Sequence, residues 1–134
     1  MAHDPTCTLL CATATRADRA NDRRQKVSKM ASDWEFVHNV ATDGGWTDGL
    51  RQIFDYRDLG IADATGGDFV AHIVRANGRE QPDDVQQWHV HDCKFQFVQV
   101  LEGWAKFEYE GIGVRTLRKG DCINRSDPLV INKI

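Results

Sequence analysis

From Trp34 onward, apolar and polar residues recur at a period close to two, as in a strand whose two faces meet different environments. The pattern is cleanest in Trp104-Ala-Lys-Phe-Glu-Tyr-Glu110, where Ala105, Phe107 and Tyr109 share one face and Lys106, Glu108 and Glu110 the other. One face is predicted to enter a core and the other to meet water. Extended segments are also predicted at Val37 to Val40, Leu50 to Tyr56, Phe69 to Val74, Trp88 to His91, Phe95 to Leu101 and Val114 to Leu117. Turn-forming residues separate them: Asp43-Gly44-Gly45, Asn77-Gly78, Gln81-Pro82-Asp83-Asp84 and the connector Gly111-Ile112-Gly113. No stretch holds a 3.6-residue period over three turns. The pattern therefore predicts an all-β sandwich or barrel of short antiparallel strands.

The first thirty residues read differently. They carry six Lys or Arg against three Asp, whereas residues 31 to 134 carry eleven against seventeen acidic groups. Arg16, Arg19, Arg23, Arg24, Lys26 and Lys29 have no apolar face and no interleaved aromatics. Such a segment offers too little apolar surface to offset an ordering cost of about 1–2 kcal/mol per residue. Residues 1–33 are thus expected to form a mobile basic leader, and residues 34–134 a single domain. Met30 stands just before the first globular-looking stretch, where a natural start would fall.

At 134 residues, 41% of them hydrophobic, the chain has enough apolar side chains for one core. An acidic domain argues against nucleic acid as a partner. No apolar run approaches the ~20 residues of a membrane span, and Thr8-Leu-Leu-Cys-Ala12 is too short for a signal peptide. The expectation is a cytoplasmic protein without a membrane partner. Cys7, Cys11, Cys93 and Cys122 show no disulfide framework and read as free thiols of a reducing compartment.

Candidate chemistry centres on His89-Val90-His91. Residues i and i+2 of a strand project from one face, so both imidazoles can converge on one point, as the first two ligands of a divalent metal must. Gln96 follows His91 by five residues and Gly103 follows Gln96 by seven. This arrangement resembles the first motif of the cupin superfamily: H-x-H, a short spacer, Glu or Gln, six residues, then Gly. Lys119-Gly-Asp-Cys-Ile-Asn124 resembles the opening of that family's second motif, but Arg125 to Ile134 lacks its Pro-Gly turn and third histidine. The resemblance covers roughly residues 45 to 124.

It implies a cupin jelly roll, here missing one or more C-terminal strands, with a divalent transition metal (Fe, Mn, Ni or Zn) on His89, His91 and Gln96. A small oxygen-rich substrate would complete the coordination sphere, for isomerisation, lyase chemistry or dioxygenation. Two other readings remain open: a module that binds a small ligand without turnover, and a truncated copy of an active cupin. A sheet edge left open after Gly120-Asp121 predicts a homodimer. His72, Phe107 and Tyr109 are candidates for the wall of a ligand cavity, although each also reads as a core residue. Asp121 reads as a turn-fixing carboxylate.

Overall fold

The fold was obtained as a computed structural model, which describes residues 7–15, 33–49, 52–79, 88–126 and 130–132. In chain order the elements are β1 (Thr8–Thr15), β2 (Thr47–Asp48), β3 (Phe54–Asp58), α1 (Ile61–Ala64), β4 (Phe69–Ala76), β5 (Trp88–Val90), β6 (Cys93–Glu102), β7 (Trp104–Tyr109), β8 (Gly113–Arg118), β9 (Cys122–Ser126) and β10 (Val130–Asn132). A six-stranded sheet runs β2-β3-β4-β1-β6-β9 and a four-stranded sheet runs β5-β10-β7-β8. Every pairing is antiparallel. The molecule is all-β, as the alternation predicts, and the two sheets face each other as a sandwich; among the described residues they do not close into a barrel.

The core lies between the sheets. Leu9, Phe54, Val74 and Val100 project from the large sheet and Ala105, Phe107, Tyr109 and Leu117 from the small one, into a single apolar cluster. Burying side chains of this size contributes about 1.5–3 kcal/mol each relative to exposure. Ala105, Phe107 and Tyr109 are buried while Lys106 is exposed, so the face assignment made from the β7 sequence holds. The hairpin connector also stands where expected, with Tyr109 opposite Gly113.

Part of the leader is corrected. Thr8–Thr15 form an interior strand of the large sheet, pairing with β4 from Thr8 opposite Arg75 to Ala14 opposite Phe69, and with β6 on the other side. Leu9, Cys11 and Thr13 project inward. Leu10, Ala12 and Ala14 project outward, so both faces are largely apolar. An interior strand of that kind reads as a short apolar run rather than as an alternation, which is why its sequence did not stand out. Residues 16–32 lie outside the described residues.

The C-terminus is corrected too. β9 pairs with β6, and β10 lies between β5 and β7. A C-terminal strand, Val130–Asn132, is thus present within the small sheet, while among the described residues β9 pairs with β6 alone and stays an edge of the large sheet. At the other end of the domain, Val37 to Val40 is not a strand. It follows an irregular path beside α1 and β3, where Glu35 N–H donates to Ala64 O at 3.0 Å and Asn39 Nδ2 to Asp58 O at 3.3 Å.

Two glycines are required by geometry. Gly120, at φ +91°, makes the β8–β9 turn, where its N–H donates to Val100 O at 2.8 Å. Asp121 fixes the same turn by accepting from Arg118 N–H at 2.8 Å, as expected of it. Gly49 lies flat against the Tyr56 ring, leaving no room for a Cβ. On the outer surface Arg75 pairs with Asp55 at 3.2 Å and stacks 3.9 Å over the Trp46 ring. A hydrogen bond from Asn77, with the Arg75 guanidinium beside it, holds the Asp55 carboxyl below its usual value.

Candidate functional site

Strand parity brings the two histidines together. β5 carries His89 opposite Ile131 of β10, and Ile131 is in turn opposite Tyr109 of β7. His89 therefore occupies the inward-facing register of the small sheet, whereas Trp88 and Val90 face outward at 51% and 58% exposure. His91 follows the strand and turns its ring to meet His89: the Nε2 atoms are 3.0 Å apart, and the rings meet edge to face with centroids separated by 4.8 Å. Without an ion, one ring presents N–H to the other's lone pair. With an ion, both lone pairs point at it. Nitrogens about 2.1 Å from one cation at a right angle lie about 3.0 Å apart, so the spacing matches two adjacent ligands of an octahedral site.

Gln96 comes from the opposite sheet. It is buried on the inner face of β6, opposite Thr13 of β1, and its Nε2 donates to Cys11 Sγ at 3.4 Å. Gln96 and His89 thus both take inward registers, one on each sheet. Among the described residues, no group of three or more His, Cys, Asp or Glu is placed to hold a metal ion.

The cavity-wall candidates separate. Phe107 is a core residue, 5% exposed and stacked on Tyr109 at 6.1 Å between ring centroids. Tyr109 belongs to the core as well and also lines a cleft of about 400 Å³ that opens between β8 and β9. His72 lies inward on β4, opposite Cys11 on one side and Asp58 on the other. Its ring meets Tyr56 edge to face at 6.0 Å, and its buried Nδ1 has no hydrogen-bond partner among the described residues.

Sequence reasoning missed Cys11 and Tyr56. Cys11 lay in the supposed leader, and only its pairing with β4 and β6 brings its thiol to Gln96. Of the four cysteines, Cys7 and Cys93 are buried, Cys11 is half-buried and Cys122 is exposed. Cys7 is part of the core, not of a tail. No helix among the described residues is long and apolar enough to cross a membrane. Neither the protein-family models nor the curated proteins compared with this chain give a match.

Proposed function

We propose that this protein is a small metal-binding all-β protein of the cupin type. A divalent transition metal is held by His89 and His91, with Gln96 as a neutral third donor. The observation that carries the reading is the 3.0 Å separation of the two Nε2 atoms. Two imidazoles suit Fe, Ni, Cu or Zn better than Ca or Mg, which prefer oxygen. The bound ion would supply Lewis acidity toward a small oxygen-rich substrate, in isomerase, lyase or dioxygenase chemistry. This chain's own part is to fix the two rings from an edge strand and to bury Gln96 in the opposing sheet.

One observation favours a second reading, in which the site binds without turnover. Two imidazoles and an amide leave a dication uncompensated, and no Asp, Glu or Cys joins the pair among the described residues. Metal affinity would then depend on an anionic ligand arriving with it.

Titration with cobalt(II), followed by its visible absorption and by elemental analysis, tests both readings. About one equivalent of cobalt is expected per chain. The His89→Ala/His91→Ala variant should lose it with unchanged circular dichroism, because ligand removal costs affinity rather than core area. Full stoichiometry in that variant would overturn the assignment, and binding that appears only with an added carboxylate would favour the second reading.

A further inference from the structure

The cleft between β8 and β9 contains none of His89, His91 or Gln96, so it stands apart from the metal reading. β8 is an edge of the small sheet and β9 an edge of the large one, and the sandwich gapes between them. The walls are the side chains expected there: Tyr109 and Leu117 from the small sheet and Ile123 from the large one. At about 400 Å³ the space falls within the size range of small-molecule sites.

One residue breaks the strand pattern. Along β8, Gly113, Arg115 and Leu117 take the inward register, opposite Tyr109, Phe107 and Ala105. Val114 takes the outward one and is 51% exposed. Arg115 keeps the inward backbone register but is exposed at this sheet edge, where its side chain lines the mouth of the cleft. Arg115 donates one hydrogen bond, from Nη1 to Val114 O at 2.8 Å, and among the described residues it joins no ion pair. Four N–H donors of its planar fork are left over.

The other charge in the lining is Asp121, whose Oδ2 is engaged by Arg118 N–H. Arg115 and Arg118 are three residues apart on one strand, about 10 Å. The cleft thus has a cationic end, an apolar middle and an acidic end.

We propose that this cleft binds a small organic carboxylate with an apolar body, its carboxylate on Arg115 and its hydrocarbon against Leu117, Ile123 and Tyr109. One guanidinium matches one carboxylate through two parallel hydrogen bonds. Asp121 and a chain of net charge −3 disfavour a dianion such as a phosphate monoester. Asp121 also sets the polarity, because it repels the anionic group from the far end.

Backbone ¹H–¹⁵N spectra recorded with octanoate, octanol and octylamine test this on the intact chain. Saturable shifts are expected at Leu117 and Ile123, with octanoate binding tightest and octylamine weakest. Arg115→Gln, at an exposed position, should weaken octanoate about five- to tenfold and leave octanol unchanged, with retained spectral dispersion reporting the fold. Arg115→Lys keeps the charge without the fork and should fall between the two. Equal affinity for all three compounds, absence of saturable shifts, or wild-type octanoate binding by Arg115→Gln would each overturn the proposal. Shifts confined to the outward residues of the large sheet, such as Phe69 and Phe95, would do the same.

Discussion

Two neighbouring rows of side chains on the inner face of the large sheet have opposite characters. Tyr56, Val74, Leu9 and Val100 stand opposite one another across β3, β4, β1 and β6 and form the floor of the core. Two residues further along the same strands, the row reads Asp58, His72, Cys11, Val98 and Ile123, and beyond it lie Val70, Thr13 and Gln96. Strands, parity and register are shared. What differs is composition: the first row belongs to the buried core with Phe107, Ala105 and Leu117, whereas the next rows mix Cys11, Val98 and Ile123, which still pack against that core, with Asp58, His72, Thr13 and Gln96. The core row supplies stability, and the polar rows hold the groups with chemistry.

The strongest way to break this comparison is to remove the strand common to both rows. Ala12→Pro places a residue with no N–H between β4 and β6, where ladder bonds run on both sides. No cooperative unfolding transition is expected, as read by circular dichroism against denaturant. Were residues 1–33 dispensable, the variant would unfold like the wild type.

Within the core row, Phe54 is 2% exposed. Phe54→Ala should cost about 3–5 kcal/mol, through lost transfer energy and the cavity left behind. Urea denaturation gives the measurement, with the midpoint falling at constant slope.

In the polar row the sign should reverse. His72→Phe keeps a ring against Tyr56 and removes the orphaned Nδ1. Stability should rise by about 1 kcal/mol, because an unsatisfied buried polar atom costs about that much or more. A loss of stability would show that His72 holds the fold rather than serving a ligand.

The smallest effect belongs to the outward face. Asp55 has its folded pKa below the ordinary value of 3.8, first through Asn77 and then through Arg75. Its contribution is fully present above the unfolded pKa and is lost as pH falls through the lower folded value. Asp55→Asn should therefore flatten the stability profile in that acid window. At neutral pH it should cost under about 1 kcal/mol, since the Arg75–Asp55 pair is partly solvated, with the two side chains 42% and 18% exposed.

Much of this molecule is local physics and was legible in the chain. β7 alternates along its own length, glycines mark the turns, and His89 and His91 come together because they are two residues apart on a largely extended segment. The all-β class, the β7–β8 hairpin, the turn-fixing role of Asp121 and the convergence of the two imidazoles follow from spacing alone. The rest was decided by contacts distant in sequence. Thr8–Thr15 looked like part of a leader because its two apolar faces give no alternation, and it became a strand only by lying between β4 and β6. That placement brought Cys11 to Gln96 across 85 positions of the chain. Val130–Asn132 is a strand because a slot between β5 and β7 takes it. The inward register of Arg115 likewise acquires meaning only when a second sheet stands opposite to define which side is inside. A periodicity says which residues share a face, and packing alone says what that face meets.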